Sequence, residues 1–511
     1  MHSSQLKQKG YFVIMILVFG SVFLLMLTAF TGLLVSQKRS SGTAVERERA
    51  LHIAEAGLEY YRWYLAHNPG DITNGTTTPQ PYIHRYTDPQ TGEVGQFELT
   101  VEGAQSACGY IGAVDITSVG RLDSDPDKPR AIFGRYTRPN VAEYAAINNV
   151  GVWVGGGTEI SGRWHSNGGV RMQGYNDSVL TSAVETWLCT SSYGCTPDRT
   201  VPGIYGSGDD SLWQYPVPPI DFEGMAVDLL DIKTRATSGG RYFGSVSVPP
   251  PSSNTFKGYQ VIFKSDGTFD VFKVKSNAVD TTWAYDEGGG GGTGFWFTDE
   301  ILKSSQTTCA ASNPGSSSCT RVLVGNYTIP DNCSVLFFED RVWLEGVITK
   351  KVTMAVGDLV NANTDRSAII QNNITYSPDD GTAGFLLFAE NDVVIPLNMP
   401  NNMTINGIFV AQKGAFGRHK YCPGNCSPDR QGGSEAMNSS YTSHRMKDSL
   451  TINGTRVSYG KAVFYYSEST SGVRDRTYSY DTDLIDDPPP LIPSTSEDYR
   501  FTIWEEVPVE E

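Results

Sequence analysis

The sequence predicts a mainly β protein that begins with one long helix, continues into a small α+β domain and then forms a right-handed β-helix, or β-solenoid. Three observations predict this order. Residues 11–36 carry no charge, short alternating apolar segments follow between residues 97 and 136, and a motif with a central glycine recurs after residue 147. The 53 glycines, 26 tyrosines and 22 phenylalanines among the 511 residues also favour β structure.

The overall composition indicates a folded and acidic protein. Hydrophobic residues make up 39% of the chain and charged residues 19%, which is not typical of a disordered chain. The formal net charge is −16. Because phosphate backbones bind basic surfaces, this charge argues against nucleic acid as a partner.

The uncharged segment Tyr11–Ser36 predicts a membrane-spanning helix. As a helix it would be about 39 Å long, which exceeds the ~30 Å hydrocarbon core of a bilayer. A cleaved secretory signal peptide is the alternative, but its apolar region spans only about 7–15 residues and ends at a small-residue cleavage site. Here the apolar run continues into polar helix. We therefore expect a retained single-pass anchor in the cell membrane.

The cysteines predict on which side of the membrane the body lies. Basic residues flank the apolar run on both sides, so the positive-inside rule does not decide the orientation. Cysteines that pair closely in sequence suit disulfides in an oxidising compartment, so we expect the bulk of the chain outside the cytoplasm. The predicted pairs are Cys189/Cys195, Cys309/Cys319 and Cys422/Cys426, whereas Cys108 and Cys333 either pair or stay free.

The first helix is predicted to continue to about residue 67 as an amphipathic segment. Asn68-Pro69-Gly70 ends it. Apolar residues recur at spacings of three and four, which places them in one stripe that must pack against another surface, most simply a following β-sheet. The stripe consists of Leu51, Ala54, Leu58, Tyr61 and Leu65.

Three segments predict that sheet. Residues 97–101, 113–119 and 131–136 have the composition and alternation of strands, and residues 123–129 form the predicted turn before the third. With the helix they define a small α+β domain at residues 37–145.

A weak internal repeat predicts the body of the protein, residues 146–485. Each copy is a strand, a glycine and another strand, centred on Gly162, Gly346, Gly407 or Gly454. Short similar strands with glycine corners indicate a β-solenoid, whose strands stack around a continuous core. A two-sheet sandwich is the alternative.

Two further segments do not follow the repeat. Residues 186–330 are interpreted as insertions, and they contain a candidate acidic helix from Phe222 to Thr237. The Pro-rich segment 486–511 is expected to be an extended C-terminal strap.

The N-terminal residues resemble those of type IV pilin-like proteins. Lys7-Gln-Lys9-Gly10 before an uncharged run is similar to the prepilin leader, which a prepilin peptidase cuts after the glycine before it methylates the new amine. The resemblance implies that residues 1–10 are a leader and that Tyr11 is the processed N-terminus. Residues 44–59 resemble the helix of the PilX group of minor pilins, which implies a pilin-like domain after the membrane helix.

The later part of the chain also resembles large, solenoid-bearing members of that group. The segments that carry this resemblance are residues 385–392, 411–414 and 480–484.

Met15 departs from the pilin pattern. The fifth residue of a mature pilin is usually glutamate, whose carboxylate neutralises the N-terminal amine of a neighbouring subunit, and here Met15 has that place. Burying an unpaired ammonium costs several kcal/mol. The resemblance therefore implies a minor or tip component rather than the repeating subunit.

Two motifs suggest metal ligands, but we expect no bound metal and no cofactor. Asp123, Asp125 and Asp127 begin like a calcium loop, yet the expected sixth-position glycine and twelfth-position glutamate are missing, so a solvated turn is favoured. His419, Cys422 and Cys426, with His444 more distant, have a spacing that suits zinc. Outside the cytoplasm a Cys422–Cys426 disulfide is favoured instead.

Catalysis is not expected, because no catalytic motif is present. The acidic residues Asp340, Glu345 and Glu390 lie outside any such motif, and the glycine run 288–292 lacks the Lys-Ser/Thr of a phosphate loop. Four tryptophans are candidates for stacking on sugars or a partner, with corner and core positions as the favoured alternative. They are Trp153, Trp164, Trp283 and Trp296.

Together these features predict a minor pilin-like, membrane-anchored surface protein that takes part in the assembly or tip display of a type IV pilus-like filament. The implied partners are other pilins, pilus assembly proteins, the prepilin peptidase and the inner membrane, and a surface glycan or host cell-surface ligand is a further candidate. Insertion among pilin helices is predicted to use Leu51, Ala54, Leu58 and their neighbours. The alternatives are a membrane-tethered adhesin without a filament and a carbohydrate-active β-helix enzyme.

Overall fold

The computed structural model describes most of the chain, which falls into two compact units. The first unit is Met1–Gly103, Ala113–Tyr136 and Tyr499–Glu511, and the second is Ala104–Gly112 and Thr137–Asp498. The predictions for Cys426 and for residues 288–292 lie outside the described residues. The described residues are 7–68, 71–106, 108, 110–225, 228–247, 256–286, 294–360, 366–424, 436–496 and 499–509.

The helices and strands are numbered along the chain. The helices are α1 (Lys7–His67), α2 (Phe222–Met225), α3 (Leu229–Ser238) and α4 (Asp483–Asp486), and short 3₁₀ helices lie at Val141–Glu143, Ser191–Tyr193, Asp210–Leu212, Ser276–Ala278 and Ser439–His444. The strands are β1 (Tyr82–Asp88), β2 (Gly92–Ser106), β3 (Tyr110–Leu122), β4 (Asp125–Thr137), β5 (Tyr144–Asn148), β6 (Val152–Val154), β7 (Thr158–Ser161), β8 (Arg163–Ser166), β9 (Val170–Met172), β10 (Tyr175–Asn176), β11 (Leu180–Ser182), β12 (Thr186–Cys189), β13 (Arg199–Pro202), β14 (Ile204–Gly206), β15 (Trp213–Gln214), β16 (Arg241–Phe243), β17 (Phe256–Phe263), β18 (Thr268–Lys275), β19 (Val279–Asp286), β20 (Phe295–Leu302), β21 (Arg321–Thr328), β22 (Val335–Phe338), β23 (Val342–Ile348), β24 (Lys351–Val356), β25 (Ala368–Tyr376), β26 (Gly384–Ala389), β27 (Val393–Val394), β28 (Asn402–Ala411), β29 (Phe416–Gly417), β30 (Met446–Ser458), β31 (Gly472–Ser479) and β32 (Arg500–Val507).

The first unit joins the long helix to a five-stranded sheet in the order β1-β2-β3-β4-β32. The C-terminal half of α1 is amphipathic, and its apolar stripe is buried except at Leu51, which is half-buried. The Tyr136 hydroxyl on β4 donates a 3.1 Å hydrogen bond to the Leu58 carbonyl of α1. The predicted helix and its three predicted strands therefore form one small core.

This unit differs from the prediction in the length of one turn. The turn before β4 is only Asp123 and Ser124, because Asp125 to Pro129 already belong to the strand. The expected extended C-terminal strap ends in strand β32, which completes the first sheet, and Phe501 packs on Tyr136 with ring centroids 3.8 Å apart.

The second unit consists mainly of parallel strands. One ladder runs β16-β22-β24-β26-β28-β30-β5-β8-β11-β15, and a second includes β17-β23-β25 and β28-β30-β31-β7-β10. Short pairings link β25-β27-β29 and β6-β9-β14. Successive strands of a ladder are separated in sequence by strands of another ladder.

The spatial order of the strands is not their order in the chain. The first strand of the unit, β5, pairs with β30, which lies about 310 residues later. From β5 the chain builds outward to β15, and it then begins again at the other end of the ladder with β16. Part of the segment 186–330 is thus ladder rather than insertion, because β16 pairs with β22 and β17 with β23.

The core of the second unit is made by side chains that repeat at the same ladder position. Along the first ladder, one aligned position contains Leu336, Met354, Leu387 and Phe409 on successive strands. All four are fully buried. Aligned apolar side chains of this kind form a continuous core, and each contributes about 1.5–3 kcal/mol by burial.

The repeat glycines lie where the chain bends between ladders. Gly407 and Gly454 divide β28 and β30 into a half that pairs in the second ladder and a half that pairs in the first. Gly454 has φ +130°, and a Cβ there would lie 2.0 Å from the Gly407 carbonyl oxygen. Only glycine adopts this conformation without strain.

Gly454→Ala is expected to lower the free energy of unfolding by about 3 kcal/mol or more, because backbone strain adds to a clash with a main-chain oxygen. Urea unfolding of the detergent-solubilised chain, followed by tryptophan fluorescence, measures this loss. Gly267→Ala is the matched control, since φ there is +80° but the nearest atom would be the Thr349 Oγ1 at 3.5 Å. It should cost about 1 kcal/mol. An equal loss in the two variants would contradict the role of Gly454 as a corner.

Candidate functional site

The N-terminal half of α1 presents an apolar surface on all sides. Its large side chains are exposed, from Tyr11 at 80% to Val35 at 52%, and Met15 is 56% exposed. Within the described residues this is the one helix long and apolar enough to cross a membrane, although a signal sequence would meet the same criterion. Gly10 lies inside the helix immediately before this surface.

The C-terminal half of α1 uses its apolar side chains within the first unit. Ala54, Leu58, Tyr61 and Leu65 are at most 1% exposed, whereas Leu51 is only half-buried. Buried side chains do not contact helices of other subunits. The predicted packing of this stripe among pilin helices therefore does not fit the structure, and the exposed segment 11–36 is the surface that remains for such contacts.

Three disulfides join pairs of described cysteines, and they include the pair that the sequence left open. Cys189 bonds to Cys195, Cys309 to Cys319, and Cys108 to Cys333 across 225 residues. Cys422 is also disulfide-bonded, and its predicted partner lies outside the described residues. A disulfide sulfur is not available as a zinc thiolate.

Two of the three acidic residues of the calcium-like motif, Asp123 and Asp125, are paired with cations. Arg85 Nη1 donates to Asp123 Oδ1 at 3.0 Å, and Lys128 Nζ donates to Asp125 Oδ2 at 2.5 Å. The motif lies partly in the turn before β4 and partly in the strand itself.

The three carboxylates considered for catalysis accept hydrogen bonds from main-chain or side-chain groups. Asp340 is fully buried and accepts bonds from the Val246 and Ser247 backbone amides at 2.9 and 2.7 Å. Glu390 accepts the Asp358 backbone amide at 2.8 Å, and Glu345 accepts the Gln260 side-chain amide at 3.1 Å. The geometry gives all three a structural role.

A second acidic cluster contains a histidine. Asp286, Asp392 and His419 place ligand-type atoms within 4.8 Å of one another. Burial acts to lower the pKa of His419, but the hydrogen bond to Asp299 at 3.5 Å and the nearby carboxylates raise its pKa overall. Asp392 Oδ1 accepts the Ala415 backbone amide at 2.7 Å. The hydrogen bonds of His419 and Asp392 suit loop packing, and we propose no metal here.

Two of the four tryptophans meet at a cavity of about 490 Å³ in the second unit. We call it the aromatic cavity. Trp153 on its wall is 43% exposed, while Trp164 is buried at 2%. Trp283 and Trp296 lie on the β19–β20 hairpin, away from this cavity. Its wall includes Trp153, Gly156, Trp164, Arg456, Tyr465 and Tyr478.

Arg456 interrupts the apolar ladder position described above. The aligned series continues from Phe409 to Arg456, Ala146 and Trp164 on β28, β30, β5 and β8. The guanidinium carbon lies 4.7 Å from the centre of the Trp164 ring and 4.9 Å from that of Tyr478. An inward position in a ladder thus carries a positive charge that packs against aromatic faces.

The Arg456 side chain is buried without hydrogen bonds from two of its nitrogens. The residue is 2% exposed, and neither Nε nor Nη2 has a partner among the residues that the structure describes. Burial lowers the pKa of Arg456. Buried charged groups are normally paired, so this guanidinium is unusual.

Basic residues outnumber acidic residues on the wall of the aromatic cavity. Arg456, Lys461, Arg474 and Arg476 line it, against Glu468 as the one acidic lining residue. Glu468 is held by Arg474, with Nη2 and Oε2 3.0 Å apart. The cavity is therefore locally positive within a chain whose net charge is −16.

Comparisons with known proteins add little. No protein-family model matches the sequence, and no curated protein matches it. Among solved structures, the chain is similar to the crystal structure of the competence-associated pilin ComZ from Thermus thermophilus, at 12% identity over 90% of this chain and 97% of that one. The TM-score is 0.28. Because that score is low, the likeness carries no argument about this chain.

Proposed function

We propose that the chain is a membrane-anchored, pilin-like surface protein that displays a right-handed β-solenoid body outside the cytoplasm. One observation carries the proposal. The exposed apolar segment Tyr11–Ser36 continues without a break into the buried half of the same 61-residue helix. A signal peptidase cut after such a segment would fall inside a helix that the first unit needs for its core.

The sequence resemblance supports processing of this helix. Gly10 directly precedes the apolar run, as the scissile glycine does in prepilins, and processing there would expose Tyr11 as the new N-terminus. The disulfides support an extracytoplasmic body, because such bonds persist in oxidising compartments.

A solenoid body is supported by two features. Parallel ladders alternate along the chain, and the repeat glycines Gly407 and Gly454 lie at the bends between them. The proposed role is non-catalytic, in line with the structural hydrogen bonds of Asp340 and Glu390.

Met15 supports a minor or tip position in a filament. A methionine does not neutralise the amine of a neighbouring subunit, and burying that amine unpaired would cost several kcal/mol. Such a protein would assemble with other pilins and pilus assembly proteins, which we propose as its partners together with the prepilin peptidase and the inner membrane.

Mass spectrometry of the mature N-terminus is expected to find methylated Tyr11, and Gly10→Val should leave Met1 intact. Gly20→Ala is the matched control, because Gly20 lies in the same helix with open space around it and should not change processing. In the same cells, gold labelling should be confined to filament tips or bases. An intact Met1 in the wild-type chain would instead favour a tethered adhesin, and label along whole filaments would exclude a minor position.

A further inference from the structure

The aromatic cavity combines three properties that point to one class of ligand. It holds a buried and incompletely paired guanidinium, it is lined by basic side chains, and two aromatic rings on its wall are exposed. Those rings are Trp153 at 43% and Tyr465 at 37%. A volume of about 490 Å³ suits a small molecule of one or two rings.

We propose that the aromatic cavity binds an acidic saccharide, with the ligand's carboxylate paired to Arg456 and a sugar ring stacked on Trp153 or Tyr465.

Arg456 indicates that the ligand carries an acidic group. The Nε–H and one Nη–H of a guanidinium form an edge that matches the two oxygens of a carboxylate, and Nε and Nη2 of Arg456 are the atoms without partners. Each exposes less than 1 Å² to solvent, so binding requires the guanidinium to turn toward the cavity. The other buried arginine of the cavity differs. Arg476 donates from Nε and Nη2 to the Thr158 hydroxyl at 3.1 and 2.9 Å, so its edge is already used.

The exposed rings of Trp153 and Tyr465 indicate that the ligand contains a sugar ring. The Trp153 indole is held in place, because its Nε1 donates to Gln173 Oε1 at 2.8 Å and Arg171 lies 4.4 Å from its centre. A fixed aromatic face packs well against the C–H groups of a pyranose ring. A bare anion would leave the exposed rings without a role.

This inference names a ligand for the body whose display we propose above, but its test does not depend on the helix. An intact Met1 would overturn the proposed function and leave the cavity as it is. Failure of the binding experiment would overturn the proposed ligand and would not affect the proposed membrane anchor.

The test is isothermal titration of the full-length protein in detergent with two acidic saccharides, sialyllactose and digalacturonate. Lactose and the dimethyl ester of digalacturonate are the neutral counterparts. We expect at least one acidic saccharide to bind, and at least tenfold more tightly than its counterpart. Binding of neither, or equal binding of acid and neutral forms, would overturn the proposal. Inorganic phosphate and tetraglutamate are further probes, and binding of either as tightly as the saccharide would also overturn it.

Three variants test whether the saccharide binds in the aromatic cavity. Arg456→Met and Trp153→Ala should each weaken binding at least tenfold. Gly156→Asp should do the same by adding a carboxylate to the wall, where an added Cβ has its nearest neighbour 3.8 Å away. Gly156→Asn, of nearly equal size and neutral, should retain binding, and so should Trp283→Ala, whose tryptophan is 37% exposed outside the cavity. Unchanged binding in both Arg456→Met and Gly156→Asp would contradict the proposed site.

Discussion

Replacing Cys108 and Cys333 together with serine is expected to lower the free energy of unfolding by about 5 kcal/mol. The disulfide closes a loop of 225 residues, so its removal restores much freedom to the unfolded chain. The folded state keeps its local contacts, because the Cys108 amide donates to the Asn332 carbonyl at 3.0 Å and Arg235 donates to the Cys108 carbonyl at 2.6 Å. Urea unfolding under non-reducing conditions measures the difference.

The matched control is the double serine variant of Cys189 and Cys195. These residues are only 6 apart in sequence, so the loss should be about 2 kcal/mol. Equal losses in the two double variants would show that loop length does not determine the contribution of these bonds.

The second large effect is expected from Arg418→Met, at about 3 kcal/mol of destabilisation. Arg418 is 1% exposed and donates to the carbonyl oxygens of Pro396, Leu397 and His444, the last two at 3.0 and 2.9 Å. Burial lowers its pKa to about 10, so it stays charged at neutral pH. Its removal leaves three buried acceptors without this donor, each at a cost of about 1 kcal/mol or more.

Arg456→Met provides the contrast, since Arg456 is also an arginine and is buried almost as fully as Arg418. Its Nε and Nη2 donate no hydrogen bond within the described chain, so replacement should change stability by less than about 1 kcal/mol or raise it. Thermal unfolding of both variants measures the two effects. Equal destabilisation would show that Arg456 has a structural role and would weaken the case for a ligand.

Local patterns in the sequence predicted the elements of the first unit well. The apolar stripe of α1 and the segments 97–101, 113–119 and 131–136 depend on periodicity within a few residues, and all lie in the predicted type of element. The turn at Asp123 was predicted too long, because Asp, Lys and Pro resemble a loop although residues 125–129 pair as a strand.

Long-range features were not predictable in the same way. The repeat identified β28 and β30 as similar, and these do pair, but it gave no reason to place β5 beside β30. The Cys108–Cys333 bond was left open for the same reason, since sequence spacing does not report which distant segments meet. Likewise the return of the C-terminal strand β32 to the first sheet depends on the order of the whole chain.

The aromatic cavity had a signal in the sequence that was overlooked. When the repeat copies are aligned at Gly407 and Gly454, Arg456 occupies the position of Phe409. A charged residue at an otherwise apolar position of a repeat indicates a candidate binding site in the core. Trp153 and Trp164 were identified as candidates, but only the fold brings them to the same wall as Arg456.

The pairing of β5 with β30 has a consequence for biosynthesis. If the chain is exported from its N-terminus, as the proposed function requires, β5 to β15 leave the ribosome long before residues 446–479 exist, and their partners in the middle of the ladder are missing. Pairing over such sequence distances is slow, and an unfinished ladder exposes strand edges. Under that proposal the body reaches its final form only after nearly the whole polypeptide has crossed the membrane, and the unpaired strand edges need protection until the last strands arrive.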